Sequence, residues 1–148
     1  MLREQRYKLI AAVFILLIKD NKVLLSRRYN TGWEDGKYCL PGGHFNGNET
    51  AAEVAIREAK EELGITIEPK DLKFFNVCHT STNDERIGFS FVSEKWQGEV
   101  RNNEPERASE VGWFSINGLP FDINELARKT VEWYQKNIPY TEFGWNKK

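Results

Sequence analysis

The sequence predicts an α+β fold, a mixed β-sheet layered with helices rather than a regular doubly wound sheet. Two observations carry this. Apolar runs rich in Val, Ile, Leu and Phe come in pairs separated by short turn signals, as hairpins do, and two helical patterns fall irregularly among them. A third bounds the size: 148 residues without a repeat, a low-complexity tract or a shift in composition predict one domain over 1–148.

Residues 7–19 form the first strand, the longest apolar stretch of the chain. Asp20-Asn21 makes a turn, and residues 22–27 return as the second arm of a hairpin. Residues 29–37 hold Asn, Gly and Asp and read as a loop. Residues 38–40 are a short strand stopped by Pro41-Gly42-Gly43. Residues 50–63 are the clearest helix. Thr50 with Glu53 forms a capping box, Ala52, Ile56, Ala59 and Leu63 make the apolar stripe, and Gly64 ends the helix. The carboxylates are expected largely on the other side. Two more strands, residues 72–79 and 87–96, flank a polar turn at residues 81–84. Residues 98–109 are polar and irregular, residues 111–115 are a last strand, and residues 123–137 form a second helix ended before Pro139.

Composition excludes several classes. The 21 basic and 22 acidic residues nearly cancel, so no nucleic-acid polymer is expected as a partner. The apolar run 9–18 is too short to span a bilayer, which takes about 20 residues. It lacks the small-residue cleavage site of a signal peptide, so a cytoplasmic location is expected. Cys39 and Cys78 show no CxxC spacing and read as buried free thiols. Neither His44 nor His79 has a partner at zinc spacing. Apolar and aromatic residues are plentiful enough for a homodimer patch.

The chemistry lies in the first helix. Glu58, Glu61 and Glu62 stand at i, i+3 and i+4, on one face, where like charges repel. A divalent cation would offset that repulsion, and hard carboxylate oxygens select Mg²⁺, Mn²⁺ or Ca²⁺. Arg57 reaches the side of Glu61 and can hold a carboxylate in place. Gly42-Gly43 lets backbone approach a ligand closely and can offer a carbonyl. Arg27 and Arg28, at a strand end, could grip phosphates. His44 could touch phosphate, and the aromatics Tyr29, Trp33 and Tyr38 could stack a purine base.

The spacing Gly43-x5-Glu49-x7-Arg57-Glu58-Ala59-x-Glu61-Glu62-x-Gly64-Ile65 resembles the signature of the Nudix hydrolases. Seven fixed positions match, a coincidence expected about once in 10⁸ to 10⁹ windows at average usage. One slot departs: Ala59 stands where a bulky aliphatic residue is usual, which bears on helix packing and hardly on catalysis. The flanks, Leu40-Pro41-Gly42-Gly43, Trp113-Phe114 and Leu119-Pro120, extend the likeness over about the whole chain.

The resemblance implies a mixed sheet sandwiched between helices in an α/β/α arrangement. It implies Mg²⁺-dependent hydrolysis of a nucleoside diphosphate linked to another group, with Mn²⁺ able to substitute. Glu61 and Glu62 would ligate metal, Gly42 would lend its carbonyl, Glu58 would ligate metal or act as base, and Arg57 would orient a glutamate. A further acid from a later loop is expected, with Glu104 preferred over Glu106. A small nucleotide is the expected partner, a nucleoside triphosphate first, such as an oxidised purine nucleotide, giving monophosphate and pyrophosphate. ADP-ribose, a nucleotide sugar, a dinucleoside polyphosphate or a capped RNA end is the alternative. A non-catalytic nucleotide sensor would be expected to show an eroded motif. An isomerase on this scaffold would be expected to carry further His and Cys metal ligands.

Overall fold

The computed structural model describes residues 2–146. Strands β1 (Ile10–Lys19) and β2 (Lys22–Arg28) form the expected hairpin, with Asp20 and Asn21 at φ 51° and 60°. A two-residue hairpin turn needs left-handed backbone at its central positions, and Asp and Asn accept it better than most residues. β1 begins at Ile10 rather than at 7. Tyr7 instead stands exposed, its hydroxyl donating to Glu85 Oε1 at 3.3 Å.

The hairpin arms stay paired only beside the turn, at Ile18–Val23 and Lys19–Lys22. They then diverge. β2 pairs antiparallel with β3 (Tyr38–Cys39) on one side and with β7 (Ala108–Ser115) on the other. β1 pairs antiparallel with β4 (Gly42–His44) and parallel with β6 (Glu85–Ser93). β5 (Lys73–Ser81) forms a hairpin with β6 and pairs parallel with β8 (Tyr140–Phe143). Together they make one mixed eight-stranded sheet.

Alternation along β1 feeds two cores. Val13, Ile15 and Leu17 pack with Leu24 against Val54, Ala55, Ala59 and Leu63 of helix α1 (Ala51–Leu63). Leu16, with Val23 and Leu25 of β2, packs on the other face against Ala127 and Val131 of helix α2 (Glu125–Gln135). A helix on each face of a mixed sheet is the predicted α/β/α sandwich.

Four further expectations need correction. Pro41-Gly42-Gly43 does not end strand structure, because β4 begins at Gly42. A side chain there would collide with the Val13 carbonyl, so glycine is what admits this pairing. Residues 140–143 form a strand, with alternating burial against β5. The second helix is shorter than 123–137 and is capped by Asn124, whose side chain accepts from Ala127 N at 3.1 Å.

The fourth correction concerns which face of α1 is buried. Val54, Ala55, Ala59 and Leu63 are buried, while Ala52 and Ile56 are only partly covered. At about 100° per residue, Glu58 and Glu62 fall between Val54 and Ala55 around the helix, on the covered side. The Glu58 side chain is 13% exposed, against 49% for Glu61. Gly43 leaves the space: a Cβ there would run into the Glu58 carboxylate. Ala59 is fully buried against the sheet, so its small side chain fits close helix-to-strand packing.

Candidate active site

The site is built around α1. Thr50 caps the helix, its Oγ1 accepting from Glu53 N at 3.1 Å. The other arm of the expected capping box goes to the hydroxyl rather than the backbone, with Thr50 Oγ1 donating to Glu53 Oε1 at 3.2 Å. At the far end Gly64, at φ 70°, donates its N–H to Lys60 O.

Arg57 is the hub. Its Nε donates to Glu49 Oε2 at 2.6 Å and its Nη2 to Glu49 Oε1 at 3.2 Å, a bidentate fork. Nη1 reaches Glu58 Oε1 at 2.8 Å and Glu61 Oε2 at 3.4 Å, and Nη2 also holds the His44 carbonyl at 3.0 Å. One guanidinium thus ties the loop before the helix, strand β4 and two of the three helical glutamates. These bonds, Glu49's first, raise the Arg57 pKa further. The Arg57 fork, with the Asn46 N–H, holds Glu49 below the usual carboxylate range.

Glu62 goes the opposite way. Its carboxyl is pushed well above the ordinary range, first by burial, then by a hydrogen bond to Glu58 and by the charges of Glu58 and Glu104; the Gly42 N–H opposes this. A carboxyl whose charged form is disfavoured by enclosure and by neighbouring carboxyls marks a place where negative charge exceeds what the protein neutralises.

Glu104 comes from the loop that caps α1. Arg101 N donates to Leu63 O, Asn103 N to Glu62 O at 2.9 Å and Asn103 Nδ2 to Glu61 O at 3.1 Å, which satisfies carbonyls at the helix end. Asn102 folds the loop: its Oδ1 accepts from Glu104 N at 3.1 Å and its Nδ2 donates to Ala108 O at 2.7 Å. Glu104 titrates above the usual range, chiefly from burial, with Glu58, Glu106 and Glu61 adding repulsion and Arg107 opposing it. Glu104 therefore feels the charges of Glu58 and Glu61, and Glu62 those of Glu58 and Glu104. Among the described residues no three acidic, His or Cys side chains already close on one point at ligating distance. The donor set nonetheless suits a hard divalent cation: all oxygen, with more negative charge than the protein neutralises.

The other sequence candidates lie as follows. Arg27 Nε donates to Gly36 O at 2.9 Å, its Nη2 pairs with Asp122 at 3.5 Å and its guanidinium covers the Tyr38 ring. Arg28 Nε donates to Trp33 O at 2.7 Å, its Nη2 to Thr31 Oγ1 at 2.9 Å, and it stacks over the half-exposed Trp33 ring at 5.0 Å. Both arginines thus order the loop at 29–37. That loop meets the Glu104 loop through Tyr29 N and Arg107 O at 3.0 Å. His79 pairs with Glu85 at 2.9 Å and packs against Trp145, whose Nε1 donates to the His79 carbonyl.

His44 brings in a residue that sequence reasoning missed. Its Nε2 lies 3.0 Å from Arg86 Nη1. Arg86 is gripped on its other edge by Asp84, Nε to Oδ1 at 2.5 Å and Nη2 to Oδ2 at 2.9 Å. That fork holds Asp84 below the usual range. No sequence signal links positions 44 and 86, because the strand pairing that joins them is non-local.

Comparison with known proteins agrees with this geometry. The NUDIX domain family matches residues 8–134. The chain is 32% identical to an ADP-ribose pyrophosphatase of Methanocaldococcus jannaschii, over 89% of this chain and 80% of that one. It is 31% identical to an 8-oxo-dGTP diphosphatase of Escherichia coli, over 84% and 93%. The fold superposes on a MutT NUDIX hydrolase of Burkholderia pseudomallei with a TM-score of 0.78 at 26% identity, over 85% of this chain and 98% of that one. The complete glutamate motif, the sandwich that carries it and these matches together make the chain a member of the Nudix hydrolase family, a nucleotide pyrophosphohydrolase.

Proposed function

We propose that the chain hydrolyses a nucleoside triphosphate, an oxidised purine nucleotide foremost, to the monophosphate and pyrophosphate with Mg²⁺, Mn²⁺ substituting. The observation that carries this reading is the crowding of Glu58, Glu62 and Glu104, with the Glu62 carboxyl enclosed and its pKa raised. The 8-oxo-dGTP diphosphatase relative supports the substrate. Glu58, Glu61, Glu62 and Glu104 would hold the metal, with the Gly42 carbonyl. When bound, the metal would neutralise diphosphate oxygens and lower the pKa of an attacking water.

The chain's own groups do the rest. Arg57 fixes the rotamers of Glu49 and Glu58 and so limits where the carboxylates can move. The Gly42 N–H steadies the ionised form of Glu62. Glu58, joined both to Arg57 and to Glu62, would ligate the metal or act as the base. A second reading, ADP-ribose or a nucleotide sugar, is favoured by the Methanocaldococcus relative. The test is product analysis with Mg²⁺ over a panel of dGTP, 8-oxo-dGTP, ADP-ribose, a nucleotide sugar and a dinucleoside polyphosphate. Highest kcat/KM on a triphosphate, with pyrophosphate released, is expected. No turnover of any triphosphate contradicts the proposal, and preference for ADP-ribose establishes the second reading.

A further inference from the structure

We propose that Arg86 is a substrate-contacting residue, its guanidinium holding a phosphate oxygen beyond the metal-bound diphosphate. The proposal rests on the triphosphate reading above and deepens it.

The sheet register sets the arrangement. His44 of β4 stands opposite Ala12 of β1, and Ala12 opposite Gly88 of β6, so the three share one face. Arg86 lies two residues before Gly88 on that same face. Alanine and glycine leave a gap between the larger side chains, and Phe14 fills part of it: a Cβ on Gly88 would lie 2.8 Å from the Phe14 ring. Arg86 and His44 meet across this gap at 3.0 Å.

Asp84 takes two of the five guanidinium N–H donors and sets the plane of the group. Nη1 is left facing the imidazole. Arginine can only donate, so a hydrogen bond in this contact has His44 Nε2 as its acceptor. An imidazole nitrogen is a weaker partner for a guanidinium than a phosphate oxyanion. The Arg86 side chain is 38% exposed, so an incoming anion can reach it. The spot lies on the α2 side of β4, one residue from the point where Gly43 abuts the Glu58 carboxylate on the α1 side, and the His44 carbonyl is held by Arg57, which also holds Glu58, so one strand separates it from the acidic site. A phosphate oxygen arriving here displaces His44 from Nη1 and forms a charge-assisted bond. A triphosphate carries a phosphate beyond the hydrolysed pair; ADP-ribose carries a sugar there.

The test combines steady-state kinetics on a nucleoside triphosphate and on ADP-ribose with calorimetric binding of magnesium pyrophosphate, for wild type, R86Q and R86K. R86Q is expected to raise the triphosphate KM and the pyrophosphate Kd by about tenfold, with kcat within about threefold and the ADP-ribose KM unchanged. R86K, which keeps the charge and loses the fork, is expected to recover about half of that loss on a logarithmic scale. Wild-type triphosphate KM and pyrophosphate affinity in R86Q overturn the proposal, as does an equal rise in KM for both substrates. Should R86Q not fold, R86K decides alone: a threefold rise in the triphosphate KM is expected, and no rise overturns the assignment. A wild type inert on triphosphates whose pyrophosphate affinity still falls in R86Q overturns the triphosphate reading and leaves the anion contact standing.

Discussion

Glu62 gives up its proton less readily than a solvent-exposed glutamate, because its carboxyl is enclosed, bonded to Glu58 and faced by Glu104. A folded-state pKa above the unfolded value means that the protonated form favours folding. Stability of the metal-free protein should therefore fall as pH rises from the ordinary carboxylate range through the raised value of Glu62. Glu62→Gln replaces the acid by a neutral group of the same shape, so its unfolding midpoint should depend less on pH. It should lie a few degrees above wild type on the alkaline side of that range, read by thermal unfolding in chelator. The same variant should lose about 10²-fold or more in kcat, since the site gives up a charge it needs for metal and transition state. A variant as pH-sensitive as wild type would mean that another group sets the slope. Arg57 has the opposite part, neutralising Glu49 outright and sharing itself between Glu58 and Glu61. It relieves some of the repulsion that the helical spacing creates and leaves Glu62 unrelieved.

At the scale of elements, α1 works because its C-terminal end is held by chain that is distant in sequence. Residues 101–103 bond to the carbonyls of Glu61, Glu62 and Leu63, which brings Glu104 beside the helix. Asn102 closes that loop from within. Asn102→Ala leaves the Glu104 N–H and the Ala108 carbonyl without their partner. The loss should be about 1–2 kcal/mol of stability, measured by urea unfolding, and about tenfold in magnesium affinity, because the loop that carries the proposed ligand Glu104 loses its support. An unchanged magnesium affinity would remove Glu104 from the metal site. The helix, its glycine stop and its glutamates were legible in the sequence because a 3.6-residue period and a cap are local properties. The turn at Asp20-Asn21 was legible for the same reason. β4 was not: Gly42 and Gly43 read as breakers, and only the nearness of Val13 and of the Glu58 carboxylate shows why glycine continues a strand there. The buried face of α1 was misjudged because periodicity counts carboxylates as outward-facing, whereas the gap at Gly43 admits Glu58. Arg27 and Arg28 looked like free phosphate ligands, and only the folded loop at 29–37 reveals the carbonyls and rings they already serve.

For the whole molecule, the diverging hairpin of β1 and β2 is the organising feature. It lets one mixed sheet bury a core on each face, with α1 and its acids against one and α2 against the other. The acidic helix is thereby set on a rigid support, and like charges can be kept together at a cost the two cores absorb. Among the described residues no helix is long and apolar enough to cross a membrane. On the proposed function, these crowded carboxyls form a site for a divalent cation. Calorimetric titration of Mg²⁺ into wild type and Glu62→Gln, in two buffers of different ionisation enthalpy, tests it most directly. The account predicts uptake by wild type that releases a proton and tightens as pH rises, with uptake weakened about tenfold or more in the variant. No uptake by wild type, or equal uptake by both without proton release, would contradict it.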